Sequence, residues 1–130
     1  MPSWVACDEG HHGGRRREAA IEISQHGSLS PCSQCGKPRF YFVQQRYANT
    51  GETHEYVVEK VVRLRQPADV EEEGYDPMIF LMRHRQLGHT CVWPFYWGRD
   101  ITRKWRVGQF PPLLTLEELK RSVQMLEELK

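Results

Sequence analysis

The sequence lacks any long apolar run. No stretch of about 18 consecutive apolar residues occurs in the 130-residue chain, so no transmembrane helix is predicted. The N-terminus also lacks the basic-then-apolar order of a secretory signal. Glu18 and Glu22 interrupt the apolar stretch that a twin-arginine signal would need. We therefore expect a cytoplasmic protein with no membrane partner.

Cysteine is scarce, with four residues in the chain. In a reducing compartment disulfides are rare, and a Cys-x-x-Cys pair more often binds a metal or performs redox chemistry. Cys32 and Cys35 form such a pair. A thioredoxin-like redox site would follow a strand and open a helix, whereas Pro38 and a β-rich run follow this pair. The cysteines therefore favour metal binding.

A strong net charge is also missing, since the formal value is +1. The charges are nevertheless segregated: residues 83–106 carry six cations and one anion, and residues 69–76 carry five carboxylates and no cation. With 39% hydrophobic and 27% charged residues, the chain is outside the composition range of disordered proteins. The length fits one compact domain.

Two short turns contain most of the metal-binding residue types. The first reads Cys7-Asp-Glu-Gly-His11, and the second reads Cys32-Ser-Gln-Cys35-Gly, 20 residues further on. Zinc binds about four thiolate or imidazole ligands in a tetrahedron, and a two-residue gap lets both thiolates of one turn reach the same ion. The spacing therefore predicts a zinc site.

These two turns resemble those of the zinc-ribbon class, which are often written Cys-x-x-Gly-His and Cys-x-x-Cys-Gly. The resemblance covers residues 4–38, and it implies a β-hairpin between the turns and a structural Zn²⁺ ion. It also implies that the ligands are Cys7, His11, Cys32 and Cys35. His12 is the nearest alternative to His11, and His26, His89 and Cys91 are further alternatives if the fold brings them close.

The remaining patterns predict an α+β fold. Alternating apolar residues predict strands at 18–24, 40–43, 56–64, 78–82 and 90–93, and the acidic stretch 66–76 reads as a loop. Thr115 and Glu118 form a capping box before a leucine stripe, which predicts a C-terminal helix. We expect a zinc-ribbon-like module at 1–38, followed at 39–130 by an antiparallel meander of about four strands and one C-terminal amphipathic helix packed on it.

A basic-aromatic strip at residues 93–106 interleaves five aromatic rings with four cations. Cations attract phosphates and exposed rings stack on unpaired bases, so the strip suggests nucleic-acid binding. The alternative is that the rings pack in the core, which we favour because aromatic side chains bury the largest areas available to a small sheet. The predicted nucleic-acid residues are Arg15, Arg16, Arg17, Trp97, Arg99, Arg103, Lys104, Trp105 and Arg106.

Three functions follow from these features. The leading hypothesis is a small non-enzymatic zinc protein that binds nucleic acid. The second is a protein-interaction adaptor or subunit that uses the C-terminal helix and the acidic loop. The third is a histidine-dependent nuclease using His84 or His89 beside Arg83 and Arg85, which no nucleophile motif or paired carboxylate supports. The sequence leaves the oligomeric state open.

Overall fold

The computed structural model describes residues 2–108 and 115–128. Strand-forming residues dominate this part of the chain, and the elements are short. They are, in chain order, β1 (Ser3–Cys7), α1 (Arg16–His26), β2 (Arg39–Arg46), β3 (Thr53–Arg63), α2 (Pro67–Glu73), β4 (Tyr75–His84), β5 (Thr90–Arg99), β6 (Trp105–Val107) and α3 (Leu116–Glu128).

The strands form one six-stranded antiparallel sheet, in which neighbouring strands follow the chain order β1 to β6. Residues of β1 pair with β2 from Ser3 opposite Val43 to Cys7 opposite Arg39. The prediction of an α+β fold with about four strands is therefore wrong, because the described fold is mostly β. The two additional strands are β1 and β6, at positions where the apolar patterns predict no strand.

The predicted strand at residues 18–24 is wrong, since this segment lies in α1. The buried side chains are Ala19, Ala20 and Ile23, which share one face at helical spacing. Alanine and glutamate favour a helix, and this preference outweighs the short alternation of Ala19, Ile21 and Ile23. Gly27 ends the helix in the left-handed region at φ 80°. A helix, and not a ribbon hairpin, therefore joins the two cysteine-containing turns.

The acidic segment predicted as a loop also contains a helix, α2. Pro67 occupies the first turn, where its missing N–H group costs nothing. Gly74 ends the helix at φ 67° and donates its N–H to the Val70 carbonyl at 2.9 Å. Val70 is fully buried, so one apolar contact residue anchors an otherwise solvated acidic helix.

The chain divides into two compact units, which are described separately. The first comprises Met1–Val61 and Leu81–Cys91, and the second comprises Val62–Phe80 and Val92–Lys130. Buried residues of the first unit include Val5, Ala20, Ile23, Tyr41 and Val43. The predicted boundary between residues 38 and 39 stays a prediction.

The second unit has an aromatic core. The Phe80 ring lies 4.4 Å from the Phe95 ring and 5.9 Å from the Trp93 ring, between centroids, and Trp97 packs 5.7 Å beyond Phe95. Trp93, Phe95 and Trp97 alternate along β5 and therefore share one face of the strand. Two of the five aromatic residues of the basic-aromatic strip, Phe95 and Trp97, are thus buried in the core.

The C-terminal helix predicted after Thr115 is present as α3. Its capping box is formed: the Glu118 amide donates to Thr115 Oγ1 at 3.0 Å, and the Thr115 amide donates to Glu118 Oε1 at 3.1 Å. Among residues 2–108 and 115–128, no helix is both long enough and apolar enough to span a membrane. The last residue of the predicted leucine stripe, Leu129, lies outside the described residues.

Candidate metal centre

The first half of the site is a tight turn at the end of β1. The Gly10 amide donates to the Cys7 carbonyl at 2.9 Å, and the Cys7 amide donates to the His11 carbonyl at 3.1 Å. Gly10 adopts φ 83°, a conformation that glycine takes without steric cost. The turn therefore returns the chain beside β1 and brings the His11 ring next to the Cys7 thiol.

The second half is a similar turn after α1. The Gly36 amide donates to the Cys32 carbonyl at 2.8 Å, the Cys32 amide donates to the Lys37 carbonyl at 2.9 Å, and Gly36 adopts φ 74°. Backbone N–H groups of Gln34 and Cys35 also donate to the Cys32 sulfur. These hydrogen bonds direct both thiols of the Cys-x-x-Cys turn to the same side.

Four possible ligand atoms converge where the two turns meet. One atom each from Cys7, His11, Cys32 and Cys35 lies within 4.8 Å of all the others. Cys7 and Cys32 are buried, whereas Cys35 is exposed. Three sulfur atoms and one imidazole nitrogen thus form a cluster that can bind a metal ion, as the sequence predicted.

Three of the distances within the cluster lie in the range expected around one small tetrahedral metal ion. Zinc–ligand bonds of about 2.0–2.3 Å give tetrahedron edges of about 3.3–3.8 Å. His11 Nδ1 lies 3.4 Å from Cys7 Sγ and 3.7 Å from Cys32 Sγ, and the Sγ atoms of Cys35 and Cys7 are 3.6 Å apart. The other three distances are within 4.8 Å.

The surroundings of the thiols favour a thiolate at Cys32. Hydrogen bonds from the amides of Gln34 and Cys35 lower the pKa of Cys32 to about 6. The Lys37 amide lowers the pKa of Cys35, but desolvation and the neighbouring thiols of Cys7 and Cys32 outweigh it, and the net pKa is raised. Crowding of three thiols in one place is the arrangement that a divalent cation relieves.

The structure distinguishes the alternative fourth ligands. His11, and not His12, belongs to the cluster. His12 instead forms a backbone bridge with Ala6, and its side chain is exposed. His26 ends α1, and neither His89 nor Cys91 joins the cluster.

Ion pairs outside the cluster connect the elements that carry the ligands. Lys37 of the second turn pairs with Glu9 of the first. Arg39, at the start of β2, donates to the Ser30 carbonyl at 2.8 Å and to Ser30 Oγ at 2.9 Å, and lies 3.8 Å from Glu22 of α1. These contacts hold the loop between α1 and β2 on both sides of the Cys-x-x-Cys pair, at Ser30 before it and at Lys37 after it.

The residues predicted to bind nucleic acid occupy different surroundings. Trp97 is 2% exposed, so its ring is not free to stack on a base as placed. Arg99 donates to the Glu71 carbonyl at 2.6 Å, and its guanidinium lies 5.4 Å from the Trp105 ring centroid. The exposed cations of the set are Arg15, Arg16, Arg103, Lys104 and Arg106, while Arg17 is half-buried.

Asp100 organises the turn that presents the cations of residues 103–106. Its carboxylate accepts hydrogen bonds from the backbone amides of Thr102 and Lys104 at 2.9 and 3.0 Å, and from Arg106 Nε at 3.1 Å. Hydrogen bonds from Thr102 and the Lys104 amide hold the pKa of Asp100 well below its usual range. The carboxylate therefore stays ionised and offsets part of the positive charge.

His54 is a residue that the sequence did not single out, and it forms a cluster with His84 and His89. His54 of β3 lies 2.7 Å from His84 of β4, measured between Nδ1 and Nε2, and the His84 and His89 ring centroids are 4.8 Å apart. Tyr56, two residues after His54, contacts both His84 and His89. The period-2 spacing of His54 and Tyr56 in a strand was the available signal.

A comparison with protein-family models, with curated proteins and with solved structures gives no match for this chain. The zinc-ribbon resemblance therefore rests on the two turns alone. The β-hairpin that this class has between its two turns is not found here, where α1 joins the turns.

Proposed function

We propose that this protein holds one structural Zn²⁺ ion through Cys7, His11, Cys32 and Cys35. The observation that carries the proposal is the convergence of the four donor atoms within 4.8 Å of one another. Three of their separations, 3.4–3.7 Å, lie in the range of edges of a zinc tetrahedron. Three thiolates and one imidazole suit zinc better than magnesium or calcium, which prefer oxygen ligands.

The role of the ion follows from its ligands. Four protein donors complete the tetrahedron and leave no position for water or substrate, as in structural and not catalytic sites. The ion would join the end of β1 to the turn that follows α1, two segments that the Lys37–Glu9 ion pair also connects. Structural zinc contributes about 10–16 kcal/mol of apparent binding free energy in zinc-finger peptides, so the metal would contribute substantially to the stability of this region.

Metal analysis of the purified protein tests the proposal. We expect one zinc per chain, and loss of both zinc and thermal stability in the Cys32→Ser and His11→Ala variants. Cys91→Ser and His12→Ala are matched controls, because each removes the same residue type outside the cluster. Full zinc content in His11→Ala, or equal loss in His12→Ala, would contradict the assigned ligand set.

Nucleic-acid binding is a second candidate, supported by a smaller surface than the sequence suggested. Arg103 and Lys104 lie exposed on the turn that Asp100 organises, and Arg103 adopts φ 65° there. This turn offers point charges to phosphates, while Trp97 is withdrawn into the core. The expected activity is electrostatic binding without base stacking by Trp97.

Fluorescence anisotropy with single-stranded DNA and RNA at several salt concentrations tests this candidate. Each phosphate contact that is lost should reduce the slope of log affinity against log salt by about 0.7. The double change of Arg103 and Lys104 to Ala is expected to lower the slope. The double change of Arg46 and Lys60 to Ala removes two cations elsewhere and serves as a charge-matched control. Nucleic-acid binding by this turn would be contradicted if no binding occurred at low salt, or if the Arg103 and Lys104 variant and the control lowered the slope equally.

A further inference from the structure

Helix α3 is attached to its unit by its polar side. Ser122 is fully buried and Glu118 is 8% exposed, whereas Leu116, Leu119 and Val123 are 68%, 48% and 49% exposed. An amphipathic helix normally buries its apolar side. The predicted packing of the leucine stripe on the sheet therefore applies to only part of the stripe.

The buried side of α3 has specific polar partners. Arg121 donates to the Leu64 carbonyl at 2.6 Å, Ser122 Oγ donates to the Glu118 carbonyl at 2.7 Å, and Glu118 lies 3.5 Å from Arg65. Leu126 is the apolar residue of α3 that packs on the small cluster of Val62, Leu64 and Ile79. These contacts fix the rotation of the helix and leave the Leu116–Leu119–Val123 stripe facing outward.

The spacing of the stripe is that of a coiled-coil seam. Positions 116, 119, 123 and 126 are separated by three, four and three residues, which matches a and d positions of consecutive heptads. Lys120 and Glu127 then occupy the two e positions beside the seam, and both are exposed. The stripe thus has a charged residue of opposite sign towards each end.

We propose that α3 pairs antiparallel with α3 of a second copy of this chain. The exposed residues set the register: Leu119 of each copy lies opposite Val123 of the other. Leu116 then lies at each end of the seam, beside the edge of Leu126, which is partly buried on its own unit. In this register Lys120 of each copy lies beside Glu127 of the other, so two opposite-charge pairs form across the two-fold axis. A parallel pair would instead place Lys120 and Glu127 beside the positions of Thr115 and Ser122, with no charge match.

The dimer should be weak and independent of the metal site. Two helices of 13 residues give an interface at the low end of the size range, for which a dissociation constant on the order of 10–100 µM is reasonable. Sedimentation equilibrium of the intact, zinc-loaded protein from about 1 µM to 1 mM, concentrations that bracket this range, measures it. Leu119→Glu is expected to raise the dissociation constant at least about tenfold, because it places a charge in an apolar seam.

Charge reversal tests the identity of the partner and the orientation. Lys120→Glu and Glu127→Lys each turn both attractive pairs into repulsive ones and should each weaken self-association by on the order of tenfold. A mixture of the two variants restores both pairs and should dimerise within about threefold of the wild type, a difference below 1 kcal/mol. Glu128→Lys has the same charge change as Glu127→Lys but lies off the seam, and it should have little effect.

The proposal that a second copy of the chain covers the exposed stripe of α3 requires all of these results. A wild type that stays monomeric up to about 1 mM, the upper limit of measurable weak association, would overturn the proposal. So would self-association that is insensitive to Leu119→Glu, or a mixture of the charge variants that associates no better than either alone. All the changed side chains are exposed, so α3 should stay folded in each variant. Circular dichroism checks this.

Discussion

The Nε2 atom of His84 lies 2.7 Å from the Nδ1 atom of His54. On its other side, His84 Nδ1 accepts hydrogen bonds from the amides of Gln86 and Leu87 at 3.1 and 2.9 Å. Because Nδ1 accepts both, a neutral His84 carries its proton on Nε2 and donates it to His54. His54 Nε2 then donates to Glu52 Oε2 at 3.2 Å. The direction of the whole chain of hydrogen bonds is therefore fixed by two backbone amides.

This arrangement predicts lower stability in mild acid. Burial, and then the neighbouring His89 and His54, lower the pKa of His84 below its ordinary value. The unfolded chain, with an ordinary histidine pKa of about 6.5, therefore takes up this proton before the folded protein does. Stability is present above that pH and falls as the pH drops through it. Urea unfolding at a series of pH values between 7.5 and 5.5 measures the slope.

The His84→Asn variant separates the contribution of His84 to the pH dependence of stability from the contributions of other titrating groups. The asparagine oxygen can occupy the place of Nδ1 and accept the two amide hydrogen bonds, but it does not titrate. We expect a shallower pH slope in this variant, at equal zinc content, and an unchanged slope in His26→Asn, whose side chain is exposed. A slope that is identical in His84→Asn and wild type would show that His84 does not control it.

Breaking the ion pair between Arg63 and Asp76 is expected to lower the free energy of unfolding more than breaking the ion pair between Arg83 and Glu59. Arg63 Nη2 lies 3.0 Å from Asp76 Oδ2, and the Asp76 side chain is fully buried. Arg63→Met would remove the guanidinium that lies against this buried carboxylate, at a cost of about 3 kcal/mol. Arg83 and Glu59 form a comparison pair that is 49% and 40% exposed, and Arg83→Met should cost less than about 1 kcal/mol. Urea unfolding of both variants gives the difference, and equal costs would contradict the assignment.

The metal cluster was predictable from sequence because its geometry is local. Each turn contains two of the ligands within five residues, and the glycines Gly10 and Gly36 indicate how the backbone bends. The connection between the turns was not predictable in the same way, because residues 18–24 satisfy a short strand pattern and a helix pattern at once. Only packing against β1 and β2 selects the helical face of Ala19, Ala20 and Ile23.

The sheet and the histidine cluster depend on contacts that are distant in sequence. His54 and His84 are 30 residues apart. The period-2 spacing of His54 and Tyr56 places both on one face of a strand, but it does not indicate that His84 lies beside them. The helix α3 illustrates the opposite case. Its capping box correctly located the start of the helix, but the face that is buried is decided by Arg65, Leu64 and Glu118, whose meeting is a tertiary property.

The capping box predicts a local effect on α3. Thr115→Ala removes the acceptor for the Glu118 amide and should destabilise the helix by about 1 kcal/mol. Hydrogen exchange of the amides in the first turns of α3 is the suitable measurement, because global unfolding can hide a local loss. Thr115→Ser keeps the hydroxyl and should exchange at nearly the wild-type rate. Equal exchange in Thr115→Ala and Thr115→Ser would mean that the hydrogen bond does not cap the helix in solution.

The glycine of the second turn provides a test of the metal site that leaves every ligand in place. Gly36 adopts φ 74°, and a Cβ atom built there would have no neighbour within 4 Å. The cost of Gly36→Ala is therefore backbone strain alone, about 1–2 kcal/mol, which corresponds to a five- to thirtyfold loss of zinc affinity if the metal requires the turn. Competition with a chromophoric chelator measures the affinity.

Two further changes at glycine positions calibrate that result. Gly36→Asn should recover part of the affinity, since asparagine tolerates the left-handed region better than alanine does. Gly13→Ala introduces the same methyl group at a glycine that also has no neighbour within 4 Å and whose φ is not in the left-handed region, so it should leave zinc affinity unchanged. If Gly36→Ala and Gly13→Ala bind zinc equally well, the conformation of the Cys-x-x-Cys turn does not limit metal binding, and the ion would have to be held by a different arrangement of the ligands.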